Sequence, residues 1–548
     1  MNKFIYPLVM GLALAGCEAQ IGDVTGPEGI TAAELATHIE ILSSDEFGGR
    51  APSSPGEEMT VNYLANQFRA MGIAPGNGAS YFQDVPLVDI TADPSMTMTV
   101  KGGGDDLSLA YGPDMIAWTT RVVDQVALED SDMVFVGYGI VAPEYGWNDY
   151  EGLDMRGKTA VIMVNDPGYA TQDPDLFNGN TMTYYGRWTY KYEEAARQGA
   201  AGAIMIHETA PASYPWEVVE SSWTGPQFNM DAKDGHMGRV KVEAWTTAAA
   251  SRALFERAGM DYDLETKAAS ARGFKPKPLG QSVSISIKNS IRHSTSQNVL
   301  GMIRGTEAPD EYFVYMAHWD HIGTDPTKEG DNIYNGALDN ATGTAALLEL
   351  AEAYASAKEA PKRSVVFLAV TAEEQGILGS AYYAANPVFP LNKTVAGLNM
   401  DGLNIIGRTK DISVAGYGLS ELDAILISEA AKHNRRVEPE ATPERGYYYR
   451  SDHFELAKKG VPMIYPEGGI DHEKHGKEYG IAKSEEYVAN HYHKPSDEYD
   501  PAWDLSGAEQ DVRLFYHVGR NVVDGGKWPN WNEGTEFRAI RDASLNQK

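Results

Sequence analysis

The sequence has a single cysteine among its 548 residues, Cys17. An intramolecular disulfide is therefore impossible, and a zinc site built from several thiolates is excluded. Any metal site must use histidine, aspartate and glutamate. Positive charge is also scarce, because 46 lysines and arginines face 77 aspartates and glutamates, which gives a net charge of −31. Such an acidic chain is a poor candidate for binding nucleic acid or anionic lipid by general electrostatics.

Long apolar segments are scarce too. The run Phe4–Gly16 is too short to span a bilayer as a permanent helix, but it fits the apolar region of a secretory signal peptide. It leads into Leu-Ala-Gly-Cys, which resembles a bacterial lipobox and predicts lipidation of Cys17. We therefore expect a signal peptide over 1–16, a tether over 17–29, and a lipoprotein on the periplasmic face of a bacterial membrane, with Glu18 favouring the outer one. The alternative is a signal peptide with an incidental cysteine.

The rest of the chain divides by its hydrophobic texture. Buried-strand runs and an amphipathic helix predict a separate β-rich module over 126–280, which ends in a basic, proline-rich linker at Arg272–Gly280. Over 281–548, near-continuous apolar strands alternate with helices. This alternation predicts an α/β fold with a doubly wound, mixed but mostly parallel sheet, covered by helices on both faces. Residues 30–125, with two predicted helices followed by strands, are assigned to the same domain as 281–548.

Metal-binding side chains follow three consecutive predicted strands, at the edge where ligands collect in such sheets. In chain order they are His318, Asp320, Glu373, Glu374 and Asp401. A loop before a predicted helix adds Asp339, and a histidine-dense loop adds His491 and His493. Two imidazoles with several carboxylates form a donor set that suits Zn²⁺ and also accepts Mn²⁺ or Co²⁺.

Taken singly, each of these features has an ordinary explanation, such as a solvated Glu-Glu pair, a structural histidine hydrogen bond or a helix N-cap. Their combination at the ends of consecutive strands favours a metal site. Glu373 and Glu374 are adjacent, and neighbouring side chains point in different directions at a strand end. One of them can therefore bind metal while the other removes a proton from metal-bound water.

In type, order and approximate spacing, these segments resemble the motifs of the co-catalytic di-zinc aminopeptidases of metallopeptidase family twenty-eight. That family also includes the glutamate carboxypeptidases and the inactive transferrin receptors. The resemblance is carried by Ala317–Gly323, Asn335–Ala345, Thr371–Ser380, Leu398–Gly402 and Tyr492–Asp497. It is strong over about 297–525 and weaker over about 30–90.

The resemblance implies a zinc-exopeptidase-like fold that holds two Zn²⁺ ions per chain. Asp339 would bridge the two metals. His318 and Asp401 would complete one metal site, and Glu374 and His493 would complete the other. His493 is preferred over its neighbour in the same loop because it directly precedes the Lys-Pro-Ser-Asp segment.

The same resemblance implies catalytic roles for three further residues. Glu373 would be the general base on a hydroxide that bridges the metals, and Asp320 would hold the geometry of the site. Tyr492 matches a tyrosine that hydrogen-bonds the oxyanion in some members, and Tyr447–Tyr449 offers competitors. The remaining histidines are expected at the surface or around the site rather than as ligands: His321, His472 and His475.

The module over 126–280 resembles a protease-associated domain, which lies beside the active site of such peptidases and either limits substrate access or serves as a scaffold. Its segment Asp173–Trp223, rich in tryptophan and tyrosine, is a candidate lid over the cleft.

The expected function is a secreted or membrane-tethered zinc exopeptidase that hydrolyses N-terminal residues from peptides. A carboxypeptidase or dipeptidase on the same scaffold is the alternative, because Arg450 is a cation in a plausible site loop. A non-catalytic, transferrin-receptor-like binding protein predicts degraded ligands, whereas all five ligand positions are intact. Peptides are the expected partners, nucleic acid is not, and membrane contact is expected only through the N-terminal lipid.

Overall fold

The computed structural model describes residues 25–546, so the predicted signal peptide and Cys17 lie outside the described residues. Over this range the α-helices are α1 Ala32–Leu42, α2 Pro55–Ala70, α3 Pro167–Thr171, α4 Trp188–Arg197, α5 Thr209–Ala212, α6 Trp216–Ser222, α7 Ala248–Arg257, α8 Tyr262–Ala269, α9 Thr342–Ala355, α10 Leu378–Ala385, α11 Leu422–Lys432, α12 His453–Ala457, α13 Lys477–Asn490, α14 Ser506–Asp524 and α15 Arg538–Leu545. Of the helices described, none has the length and apolar character needed to cross a membrane.

The strands belong to two large sheets and two short hairpins. They are β1 Ala74–Pro75, β2 Phe82–Ala92, β3 Thr97–Lys101, β4 Leu107–Ala110, β5 Met115–Trp118, β6 Gln125–Phe135, β7 Val141–Ala142, β8 Trp147–Asn148, β9 Thr159–Met163, β10 Gly202–Ile206, β11 Pro226–Met230, β12 Val242–Thr246, β13 Lys277–Ile303, β14 Ala308–His318, β15 Gly323–Thr324, β16 Ile333–Tyr334, β17 Arg363–Val370, β18 Thr394–Asn399, β19 Asp411–Ala415, β20 Arg436–Pro439 and β21 Met463–Gly468.

The first sheet is mixed, with a parallel centre. Its strand order is β11-β2-β13-β17-β14-β18-β21-β19-β20. The four strands β17, β14, β18 and β21 are parallel to one another, and antiparallel pairs flank them on both sides. Such central strands read as continuous apolar runs because both of their faces are buried.

Helices cover both faces of this sheet. Phe313 and Tyr315 of β14 pack with residues of α1, α2, α9 and α14 on one face. Val314 and Met316 of the same strand pack with residues of α10 and α12 on the other face. The alternation follows from the two-residue repeat of a strand. The predicted α/β fold, with a mixed sheet covered on both faces, is confirmed.

The second sheet forms the inserted module. Its strand order is β4-β3-β13-β6-β9-β10-β12-β5, and apolar clusters pack against both of its faces. The module therefore takes in β3, β4 and β5, over Thr97–Trp118, which lie outside the predicted interval 126–280. Its identity as a protease-associated domain stays a prediction.

Strand β13 belongs to both sheets. Its first part, up to Lys288, pairs with β3 and β6, and from Asn289 it pairs with β2. The predicted linker Arg272–Gly280 is therefore shorter than expected, because the strand already begins at Lys277. The module also returns β11 to the edge of the first sheet, where this strand pairs with β2.

The segment Asp173–Trp223 packs partly against the first domain. The backbone N–H of Met182 donates to the carbonyl of Pro443 at 3.1 Å, and the Asn180 amide donates to Glu444 at 3.1 Å. The predicted lid thus contacts a loop of the domain that carries the metal-binding side chains. Its action as a lid stays a prediction.

Candidate active site

The carboxyl ends of three adjacent parallel strands carry four of the predicted site residues. His318 is the last residue of β14 and is paired with Val370, the last residue of β17. Glu373 and Glu374 follow β17, and Asp401 follows β18. The parallel register aligns these ends at one edge of the sheet, where the sequence places the site.

Asp339, in the loop before α9, lies at the centre of the site. Its Oδ1 is 3.4 Å from Nε2 of His318, and its Oδ2 is 3.3 Å from Nε2 of His493. The His318 Nε2 atom also lies 3.2 Å from Oδ1 of Asp401. The His493 Nε2 atom lies 3.0 Å from Oε2 of Glu374. The structure thus brings all five predicted metal ligands together, with the two oxygens of Asp339 facing different histidines.

The imidazole of His318 has its tautomer set by the backbone. Its Nδ1 lies 3.2 Å from the carbonyl oxygen of Asp320, which can only accept a hydrogen bond. A proton on Nδ1 leaves Nε2 free to bind a metal, and this nitrogen faces the carboxylates.

His321 also belongs to the site. Its side chain is completely buried, so the surface location considered for it is wrong. Nδ1 of His321 lies 2.5 Å from Oε1 of Glu374, and its ring meets that of His493 edge to face at 5.7 Å between centroids. Donor atoms of His321, Asp339 and Glu374 lie within 4.8 Å of one another. His321 is therefore a third histidine, besides His318 and His493, beside the candidate metal-binding carboxylates.

The other histidines make local contacts. Nδ1 of His491 lies 2.8 Å from the carbonyl oxygen of Ser496. His472 is buried, and its Nδ1 accepts hydrogen bonds from two backbone N–H groups, whereas His475 is exposed. None of the three belongs to the donor groups found within residues 25–546.

Asp320 organises the two adjacent glutamates. Its carboxylate is completely buried and accepts hydrogen bonds from the backbone N–H of Glu373 at 3.1 Å and of Glu374 at 3.4 Å. Burial raises the pKa of Asp320 to about 8. Burial also raises the pKa of Glu373 well above its usual value, and the negative charges of Asp401 and Glu374 add to this effect. A carboxylate with a raised pKa is suited to taking up a proton.

Tyr492 lies beside the donor residues. Its ring stacks on that of His493 at 4.0 Å between centroids, and 46% of the residue is exposed. Among its competitors, Tyr448 is buried and Tyr449 donates a hydrogen bond to Glu536 at 3.1 Å. The hydrogen bond from Tyr492 to the oxyanion stays a prediction. The stacking on His493 holds Tyr492 beside a candidate metal ligand.

Sequence reasoning missed Arg50, which fixes the backbone of the site. Its side chain is buried, and its guanidinium donates to the carbonyls of Trp319 at 2.8 Å, Leu42 at 2.7 Å, Asn335 at 2.6 Å and Gly336 at 2.8 Å. These bonds tie the residue after His318 to the loop that leads to the central aspartate. The weak motif similarity over 30–90 was the signal that could have drawn attention to this arginine.

Asp497, the last residue of the Tyr492–Asp497 motif, contacts the loop before α9. Its carboxylate accepts hydrogen bonds from the backbone N–H of Leu338 at 3.0 Å and of Asp339 at 3.2 Å, and from the hydroxyl of Tyr487 at 3.0 Å. Asp497 thereby holds the loop that presents the Asp339 carboxylate.

The charges of the site call for a cation. Asp401, Asp339 and Glu374 converge there, and over residues 25–546 no lysine or arginine lies within 4.0 Å of their oxygens. Although burial lowers the pKa of His318, Asp401 and Asp339 raise it well above its usual value. Imidazole nitrogens and carboxylate oxygens are donors that Zn²⁺ accepts, so the residues fit the metal that the resemblance implies.

Comparison with known proteins relates part of the chain to a family of peptidases. Residues 298–515 match the sequence profile of Peptidase family M28. The chain is 34% identical over 164 residues to a mouse protein named Aminopeptidase NAALADL1. The aligned region covers 28% of this chain and 20% of that protein. It is 31% identical over 207 residues to a Glutamate carboxypeptidase 2 homolog of Caenorhabditis elegans, covering 35% of this chain and 24% of that protein. The matches thus span about a fifth to a quarter of the length of these relatives.

Among solved structures, an aminopeptidase from Aneurinibacillus sp. strain AM-1 is similar with a TM-score of 0.49 and 18% identity, covering 92% of this chain and 96% of that one. The profile match includes His318, Asp339, Glu374, Asp401 and His493, the five predicted metal ligands. The chain therefore carries a domain of peptidase family M28, as the sequence motifs predicted.

Proposed function

We propose that the protein is a zinc metallopeptidase that removes N-terminal residues from peptides. The observation that carries this proposal is the position of Asp339, whose two carboxylate oxygens face separate histidines, His318 and His493. This arrangement suits a carboxylate shared by two metal ions. Glu373, which follows β17 at the same edge of the sheet, is the proposed base. The name of the mouse aminopeptidase relative supports the choice of an aminopeptidase.

The chemistry divides between metal and protein. Zinc held by His318, Asp339, Asp401, Glu374 and His493 would supply a Lewis acid for the scissile carbonyl and lower the pKa of water. Glu373 accepts the proton of the attacking water at its carboxylate and passes it to the leaving amine. Asp320 positions Glu373 by holding its backbone N–H.

Replacement of the base tests this assignment. Glu373→Gln keeps the size of the side chain but cannot accept the proton, so we expect kcat on an aminoacyl nitroanilide to fall by about 10²–10⁴-fold. Zinc content, measured by elemental analysis, should be unchanged. Glu359→Gln, at an exposed glutamate, is the matched control. Near-normal turnover by Glu373→Gln would refute the role of this residue.

Metal stoichiometry tests the cofactor proposal. Two zinc ions per chain are proposed because the donor residues form two groups around Asp339. His318 and Asp401 form one group, and His493 and Glu374 form the other. Dialysis against a chelator should abolish activity, and titration with Zn²⁺ should restore it at two equivalents. Fewer than one zinc per chain would instead favour a non-catalytic binding protein.

A carboxypeptidase or dipeptidase is the second candidate. Arg450 directly precedes Ser451, whose hydroxyl donates to Oδ2 of Asp401 at 2.6 Å, so the loop that carries this cation contacts a donor residue. The Glutamate carboxypeptidase 2 homolog is a relative whose name fits this alternative. Peptides with a blocked N-terminus distinguish the two functions: an aminopeptidase leaves them intact, whereas a carboxypeptidase cleaves them.

The cellular location is also a proposal. Export and lipidation at Cys17 rest on the lipobox-like sequence, which lies outside the described residues. Labelling with a radioactive fatty acid should mark the wild-type protein but not Cys17→Ser, and an unlabelled wild-type protein would refute the anchor.

A further inference from the structure

His321 is a completely buried histidine beside the candidate metal site. It lies three residues after the end of β14, and its Nδ1 is 2.5 Å from Oε1 of Glu374. Apart from this contact, neither ring nitrogen has a hydrogen-bond partner within residues 25–546. Burying an imidazole with so few polar partners is costly, so the contact with Glu374 calls for a functional explanation.

The backbone around the His321 ring fixes its position. A Cβ atom added at Gly336 would lie 2.5 Å from Cγ and 2.6 Å from Cδ2 of the ring, so only a glycine fits there. The carbonyl of Gly336 accepts a hydrogen bond from the Arg50 guanidinium at 2.8 Å, and the backbone N–H of His321 donates to the carbonyl of Arg50 at 3.4 Å. The ring therefore has little room to turn away from Glu374.

The two carboxylate oxygens of Glu374 face different histidines. Oε1 contacts Nδ1 of His321, whereas Oε2 lies 3.0 Å from Nε2 of His493. Over residues 25–546, no further histidine, lysine or arginine lies within 4.0 Å of this carboxylate. His321 and His493 thus divide the carboxylate between them.

The lengths of these contacts separate His321 from the predicted ligands. Two donor atoms bound to one tetrahedral zinc, each at about 2.0–2.1 Å, lie about 3.3 Å apart. The contacts among the predicted ligands agree with this spacing, at 3.2 and 3.4 Å around His318 and at 3.0 and 3.3 Å around His493. The contact of 2.5 Å between His321 and Glu374 is too short for two ligands of one metal. It suits direct contact between an imidazole N–H and a carboxylate oxygen.

We propose that His321 is a positioning residue that holds Oε1 of Glu374 and leaves Oε2 for the metal site shared with His493. This proposal rests on the proposed zinc peptidase function, and His321 acts through Glu374 rather than on the metal or the substrate. Its role differs from that of Asp320, which accepts from the backbone N–H groups of Glu373 and Glu374 and does not touch their carboxylates. Residues that orient a metal ligand usually change the metal affinity by about 10–100-fold.

Three variants separate this role from a general effect on folding. His321→Leu keeps a buried side chain of similar size but removes the N–H group. His321→Asn places an amide nitrogen near the position of Nδ1, so it can still donate to Oε1. His38→Leu is the matched control, because His38 is also buried and its nitrogens contact Tyr63 and Glu349, neither of which is a candidate ligand.

Metal binding is the readout. Competition with a chelator of known affinity measures zinc binding, and the visible absorption of the Co²⁺-loaded protein reports how the ligands are arranged. We expect His321→Leu to bind one of its two zinc ions about 10–100-fold more weakly than wild type and to change the Co²⁺ absorption, because Oε1 is freed. His321→Asn should lie closer to wild type than to His321→Leu in both measurements, and His38→Leu should match wild type.

Two outcomes overturn the proposal. One is a His321→Leu protein with the zinc affinity and Co²⁺ absorption of wild type. The other is an equal loss in His321→Leu and His321→Asn, which would make the imidazole itself a ligand. Failure of the proposed function is recognised separately: if wild type binds two zinc ions but cleaves no peptide, the zinc affinities still establish the role of His321 while the peptidase function falls.

Discussion

Replacement of Arg50 tests whether the candidate metal site depends on a buried cation that touches no metal ligand directly. Only 1% of Arg50 is exposed, and its guanidinium donates to four backbone carbonyls. Burial lowers its pKa to about 10, which leaves the side chain charged at neutral pH. Arg50→Met keeps a comparable apolar stem but removes the charge and every one of these donors.

The size of the effect follows from the groups left behind. A buried acceptor that loses its donor costs about 1–3 kcal/mol, and removing one member of a buried charged network costs about 3–5 kcal/mol in total. We expect Arg50→Met to lower the free energy of unfolding by about 3–5 kcal/mol, which for a domain of this size is a drop in Tm of about 4–7 °C. Zinc affinity should fall by about 10–100-fold, the usual effect of losing a residue that orients ligands.

Thermal unfolding followed by circular dichroism, and competition with a chelator of known zinc affinity, measure the two effects. Arg50→Lys should be intermediate, because an ammonium keeps the charge but has no planar fork. Arg69→Met, at an exposed arginine of α2, is the control and should change neither quantity. A Tm within about 2 °C of wild type, together with unchanged zinc affinity, would refute the assignment of Arg50 as a positioning residue.

Two further predictions concern Asp497 and Glu349. Asp497→Asn keeps the size of a side chain that accepts from the backbone N–H of Asp339, but its amide nitrogen cannot accept, so zinc affinity should fall about 10–100-fold in the same chelator assay; unchanged affinity would contradict this role. Burial raises the pKa of Glu349 from 4.5 to about 8. Between these two pH values the native state binds more protons than the unfolded chain. The free energy of unfolding therefore falls as pH rises, by about 1.4 kcal/mol per pH unit. Glu349→Gln should remove that loss, so between about pH 5 and 7.5 the Tm of wild type should fall relative to that of the variant. Parallel curves for the two proteins would show that this group does not titrate as described.

The sequence was most informative where chemistry and secondary structure coincide. Apolar strands that end at or shortly before His318, Glu374 and Asp401 predict that these side chains share one edge of the sheet, because parallel strands align their carboxyl ends. The position of Asp339 could be predicted only through its motif, since a loop has no periodicity to read. Once the strand ends were placed, the geometry of these residues followed from the register of β14, β17 and β18.

Other features depend on contacts between distant parts of the chain. Arg50 bonds to carbonyls as far away as Gly336, and backbone acceptors leave no trace in the sequence of the residue that binds them. His321 looked like a spare histidine, because only the folded loop brings it to Glu374. The start of the inserted module near Thr97 was missed because strands of either sheet show the same alternation, and only their pairing assigns them.

Strand β13 belongs to both sheets, so the inserted module occupies the connection between β2 and β13, which are neighbouring antiparallel strands of the first sheet. Ala92 and Asn289, where the chain leaves the first sheet and returns to it, are direct cross-strand partners, so a turn of about two residues is enough to rejoin them in a shortened protein. Such a deletion would also remove β11, which covers the open side of β2. The shortened peptidase domain would then present an unpaired edge strand to other copies of itself, and its solubility would depend on protecting that edge. In the intact chain the edge of the first sheet is therefore the five-residue β11 and not the eleven-residue β2, and a short edge strand offers less backbone for pairing with another copy.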